Sequence, residues 1–138
     1  MSTLGLAMGR PMHESFIVKS FQGREALQQF ARDIDALNLA SARPNPYLSA
    51  GFLDCFARYN EYFPDSDEIR LYLVWEGDRL IGGLPLRQVA DRFGPLRRYR
   101  LCFLAPFDIE QPGILCAPEH EERIAHAMVH HLRDKESH

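Results

Sequence analysis

The sequence predicts an α+β fold in α/β/α layers, built on a mostly antiparallel sheet in the order strand, helix, helix, three strands, helix. Three observations carry that expectation. Apolar residues recur at helical spacing in three separate stretches. The run IRLYLVWE, residues 69 to 76, is apolar at nearly every position, as a strand covered on both faces requires. Gly77-Asp78 lies between two strand-like runs, which predicts an antiparallel hairpin.

Taken in order, Phe16 to Phe21 is short, β-branched and aromatic, and reads as a strand. From Arg24 to Asn38 the stripe Leu27, Phe30, Ala31, Ile34 and Leu37 predicts one helix. Residues 41 to 50 carry two prolines and an Asn-Pro pair, so the chain turns there before a second helix with Ser49 as its cap. Phe52, Cys55, Phe56 and Tyr59 form its expected buried stripe. A loop at Pro64, Asp65, Ser66 and Asp67 precedes strand 69 to 76, and a second strand covers 79 to 89. In that strand Gly82-Gly83 and Pro85 predict an irregularity, because glycine permits a bulge and proline withholds a ladder donor. After a Gly-Pro turn, a strand from about Tyr99 to Leu104 leads into a connection containing Pro106, Pro112, Gly113 and Pro118. The last helix, Glu119 to Arg133, is expected to bury Ile124, Ala125, Met128, Val129 and Leu132.

Composition narrows the function classes. The chain of 138 residues, 46% hydrophobic and 11% aromatic, has enough apolar material for one globular domain. Residues 1 to 15, with Gly5, Gly9 and Pro11, read as a flexible extension, and 16 to 138 as the folded unit. A formal net charge of -3 gives no global attraction to nucleic acid or an anionic membrane. No apolar run approaches membrane-spanning length, and the reading is of a cytoplasmic protein. Cys55, Cys102 and Cys116 are odd in number and set among apolar residues, which suits reduced thiols in a core and offers no zinc spacing.

The stretches NPYLSAGFLDCF, LYLVWEGDRLIGGLPLRQV and LRRYRLCFLAPFDIEQPGILC, followed by an amphipathic helix, resemble the N-terminal half of the CelD/BcsL-like acetyltransferases of the GCN5-related (GNAT) superfamily. The resemblance covers roughly residues 16 to 133. It implies a longer protein of two acetyltransferase-like halves, acyl-CoA as co-substrate, and an amine or hydroxyl acceptor. It also implies that the C-terminal half, or a second chain, meets this half through its open sheet edge. In that superfamily a Gln/Arg-x-x-Gly-x-Gly/Ala loop before a helix holds the CoA pyrophosphate. The corresponding stretch here, FDIEQPGILCAPEHEE, is rich in proline and carboxylates, so tight binding of acyl-CoA to this chain is not expected. The alternative is a non-catalytic interaction module on a degenerate acetyltransferase fold.

The resemblance points to Asp108 and Glu110 as acceptor-binding residues, set against a plain reading as solvated loop carboxylates. Glu122, His126 and His130 share a helical face with the spacing of metal ligands, yet lie opposite the apolar stripe, where a solvated face is the simpler account. Arg92, Arg97, Arg98 and Arg100, with Phe93 and Tyr99 between them, form a basic cluster able in principle to hold phosphate and stack bases. Tyr72, Trp75, Phe52 and Phe56 read as core before they read as a groove. Cys55 has no adjacent base, which argues against a nucleophile.

Overall fold

The computed structural model describes residues 16–60, 68–104 and 114–136. The extension at 1–15 and the loop at 64–67 lie outside them. The elements are β1 (Phe16–Gln22), α1 (Arg24–Gln29), α2 (Ala31–Ala40), a 3-10 turn at Pro46–Leu48 and α3 (Ala50–Asn60). They continue with β2 (Glu68–Glu76), β3 (Arg79–Phe93), β4 (Leu96–Phe103), β5 (Leu115–Cys116), a 3-10 turn at Pro118–His120 and α4 (Glu121–Glu136). The sheet runs β1-β2-β3-β4, β5 adds to β3, and every described pairing is antiparallel. The α+β class is as expected.

Strand alternation on β2 builds two cores. Leu71, Tyr72, Leu73 and Val74 are all fully buried. Successive side chains of a strand point to opposite faces, so Ile69, Leu71 and Leu73 join Leu27, Ile34, Leu37 and Leu53 on one side. Tyr72 and Val74 join Phe16, Ile81, Leu84, Ile124 and Met128 on the other. Helices α1 to α3 thus cover one face and α4 the other. Each such side chain contributes on the order of 1.5–3 kcal/mol of transfer free energy.

The interrupted strand has a packing explanation. Gly77 and Gly94 adopt φ of 62° in the two hairpin turns, where a Cβ is strained. Gly82 and Gly83 answer a different need. A Cβ on Gly82 would meet Ile124 Cδ1 of α4 at 2.8 Å, and one on Gly83 would meet Leu73 at 3.3 Å and Leu37 of α2 at 3.5 Å. The pair therefore lets helices approach both faces of β3. The bulge falls beside them at Ile81, since Val74 pairs with Gly82 while Trp75 pairs with Leu80.

Pro85 marks a second change. Gly82 and Gly83 pair with Cys116 and Leu115 of β5, whereas Leu86 to Phe93 pair with β4. The Pro85 carbonyl accepts from the Leu104 N–H at 3.1 Å, and proline has no N–H to return. One edge of β3 is thus shared by two strands that part beside Pro85.

Several expectations are corrected. The helix expected over 24–38 divides at Phe30, whose φ of -105° and ψ of 21° leave helical values while its ring lies 4.8 Å from Phe21 and 6.3 Å from Trp75. On α3 the buried stripe is Ala50, Leu53 and Ala57; Cys55 and Tyr59 are exposed. The strand expected at 79–89 runs to Phe93, and the last helix starts at Glu121 after a 3-10 turn. On α4 Val129 is 59% exposed and Ala127 packs inward. The helix is rotated because two residues that hydropathy scores as polar cover aromatic rings: His131 meets Tyr72 edge-on at 5.7 Å, and Arg123 lies 5.1 Å from the Phe16 ring.

Gly82→Ala should destabilise the fold by about 1–3 kcal/mol through overpacking against Ile124. The double variant Gly82→Ala/Ile124→Val, which removes the nearest methyl, should lose less than the sum of the single changes. Urea denaturation of the four proteins checks this, and strict additivity would refute the close-approach account.

Candidate functional site

A cleft of about 390 Å³ opens between the connection that joins α2 to α3 and the strand β5. Residues 41–46 and Leu48 form the wall, Ile114, Leu115 and Cys116 the floor, and Glu121 of α4 also lines the cleft.

The wall is stiff for reasons written in its sequence. Pro44 and Pro46 restrict the backbone, and Asn38, buried near the end of α2, locks the turn from below. Its amide nitrogen donates to the Asn45 carbonyl at 2.8 Å and its amide oxygen accepts from the Asn45 N–H at 3.0 Å. Asn45 in turn accepts from the Tyr47 N–H at 2.9 Å, which starts the 3-10 turn. The Ser41 hydroxyl donates to the Asn38 carbonyl at 2.6 Å, satisfying a helix-end acceptor. Ser49 caps α3 as expected, accepting from the Phe52 N–H at 3.3 Å, and Asp35 Oδ1 accepts from the Ala50 N–H at 2.8 Å. Buried polar groups so satisfied fix a loop in one geometry.

The floor carries Cys116. Burial, then the carboxylates of Glu121 and Glu119, push its thiol up to about 11. At neutral pH it is an uncharged thiol that lines the cleft, not a nucleophile. The start of α4 offers little to an anion: Pro118 lacks an N–H, and Glu119, Glu121 and Glu122 occupy the turn and the first helical residues. Arg43 and Glu121 give the cleft one charge of each sign.

Asp108 and Glu110 lie outside the described residues. Glu122, His126 and His130 are on the exposed side of α4, and among the described residues no group of three His, Cys, Asp or Glu side chains is placed to hold a metal ion. The basic cluster is divided by strand alternation, with Arg98 and Arg100 on one face of β4 and Tyr99 on the other. Arg92 and Arg97 pair across the hairpin. Tyr72 is fully buried, Trp75 packs with Phe21 and Phe30, and Phe56 packs against the core. Phe52 meets Tyr47 edge-on at 5.1 Å. Of the cysteines expected in the core, only Cys116 is buried; Cys55 is exposed and Cys102 half-exposed.

The sequence reading missed Asn38, and it put Cys116 in the core without setting it in a cleft. Asn38 carried a signal, an amide in the last turns of a helix just before a Pro-Asn-Pro turn, but its partner Asn45 is named only by the fold. Among the described residues no helix is long and apolar enough to cross a membrane. Comparison with protein-family models, with curated proteins and with solved structures found no match.

Asn38→Ala should cost about 1–3 kcal/mol, since it removes a buried amide and its two hydrogen bonds to Asn45; thermal unfolding measures it. Iodoacetamide at pH 8 should modify Cys55 well before Cys116. Because the folded state holds the Cys116 proton more tightly than the unfolded chain, this contribution to stability is complete below about pH 9 and is lost as pH rises toward about 11. Replacement by alanine should remove that alkaline loss.

Proposed function

We propose that this chain is the front half of a GNAT-like acyltransferase and that its cleft forms one wall of the acceptor site. The acceptor would be a small amine or hydroxyl compound, and acyl-CoA the co-substrate. In the reaction the acceptor nitrogen or oxygen bonds to the thioester carbonyl carbon, the carbon–sulfur bond breaks, and the acceptor's proton passes to a base as the thiol leaves. This chain contributes shape and positioning: the stiff wall at 41–48 orients the acceptor, and β5 forms the floor.

One observation carries the reading. Leu115 and Cys116 serve both as ladder partners of Gly83 and Gly82 and as the floor of the cleft, at the place where β4 and β5 part. Along that edge of β3 the ladder is interrupted where β4 gives way to β5, and in the acetyltransferase resemblance an interruption of the sheet is where exposed backbone pairs with the amides of pantetheine. The start of α4 is a poor match for the phosphate end of CoA, since Pro118 lacks an N–H donor and three glutamates set negative charge where the anion would sit. The pyrophosphate is therefore assigned to another half of the protein or to a second chain, and this chain alone should be inactive.

Amide chemical shifts of the labelled chain, titrated with CoA and with a panel of small amines and hydroxyl compounds, test the proposal. Acceptor-class compounds should shift residues 41–48 and 114–116, with the response weakened by Asn38→Ala, while CoA binds no tighter than about the millimolar range. Tight CoA binding at the start of α4, or no response of the cleft to any acceptor, would overturn it.

A further inference from the structure

The far end of the β3–β4 hairpin carries chemistry that the cleft does not use. Leu96–Phe103 contains three arginines and no carboxylate, in a chain whose net charge is -3, and Asp91 of β3 is the register partner of Arg98 alone. Leu96, Tyr99 and Phe103 are 66%, 57% and 42% exposed. Among the described residues β4 pairs with β3 and with no strand on its other side.

The register shows which backbone groups face outward. Phe93 and Leu96 flank a two-residue turn and form a hydrogen-bonded pair, after which bonded and non-bonded pairs alternate. The bond from Leu104 N–H to Pro85 carbonyl fits that alternation. The N–H and C=O groups of Arg97, Tyr99, Leu101 and Phe103 therefore point away from β3. Of the side chains, Arg98, Arg100 and Cys102 share one face, where Arg100 Nη1 donates to Cys102 Sγ at 3.5 Å. Tyr99, Leu101 and Phe103 share the other, and Leu101 packs against the core under α4.

We propose that the outer edge of β4 is a docking strand for an extended acidic segment of a partner protein, whose alternate carboxylates meet Arg98 and Arg100 while its intervening apolar residues cover Tyr99 and Phe103. The proposal stands apart from the acyltransferase reading. Arginines alone on an edge would simply guard it against aggregation. Exposed aromatics on the same strand, one face over, turn the guard into a selective surface, since main-chain pairing supplies affinity and the alternating side chains supply choice of partner.

Charge selects the occupant. A second copy of β4, added antiparallel about a two-fold axis normal to the sheet, keeps each residue opposite a residue of its own face. In the two registers that use most of the strand, Arg98 meets Arg100 or Arg100 meets its own copy, and like charges directly opposite destabilise a sheet. Nucleic acid is disfavoured because Tyr99 lies on the face away from Arg98 and Arg100, so no aromatic and cationic strip is formed on which bases stack.

The test uses the labelled full chain and two capped peptides, EVEVEVE and KVKVKVK. Hydrogen exchange at Tyr99, Leu101 and Phe103 should slow with the acidic peptide alone. Arg98→Glu/Arg100→Glu should bind EVEVEVE about tenfold more weakly and gain affinity for KVKVKVK. Tyr99→Pro, which deletes an outward N–H while leaving the charges, should lose the protection; its amide spectrum verifies that the hairpin persists. Equal response to both peptides, protection absent from β4, tighter binding of a mixed-sequence DNA duplex, or a concentration-dependent dimer that excludes the acidic peptide would each overturn the proposal.

Discussion

Between Gly82 and Pro85 strand β3 is pressed from every direction, and the rest of the molecule is arranged around that crowding. Ile124 of α4 occupies the space a Cβ on Gly82 would need, Leu37 and Leu73 crowd Gly83, and β2 and β5 pair on the two edges. Close packing allows little slack at such a point, since interiors are as dense as organic crystals. Two layers of helices are held at fixed distance from the sheet because two adjacent residues have no side chains. The change of partner beside Pro85 follows from the same few residues, and it sets β5 where it becomes the floor of the cleft.

The cleft combines two kinds of rigidity. Its floor is tied to β3 by backbone pairing, and its wall is tied to α2 by the Asn38–Asn45 amide exchange. A site assembled this way is stiff by its own bonding, which suits positioning a ligand more than chemical attack. Cys116 fits that division of labour. Its burial and the neighbouring glutamates keep it neutral, so it adds surface to the cleft without adding charge. The same glutamates, with Pro118, leave the start of α4 unsuited to phosphate. The hairpin end contrasts with this region, being exposed, basic and apolar at once.

What the amino-acid order settled by itself was local. β2 is legible because four successive buried apolar residues need cover on two faces, and the hairpins because Gly77 and Gly94 sit where positive φ is demanded. Ser49 as a cap was equally legible, since a hydroxyl just before a helix has a short-range partner. Tertiary structure decided what depends on partners distant in sequence. The division of the first helix at Phe30 accompanies packing against Phe21 and Trp75, and the turn of α4 toward the sheet reflects His131 and Arg123 lying over Tyr72 and Phe16. The separation of Arg98 and Arg100 from Tyr99 needs a strand, and the purpose of Gly82-Gly83 needs two helices. Periodicity reports which residues are apolar, whereas a face, a cleft or a close approach exists only once a second element supplies the other side.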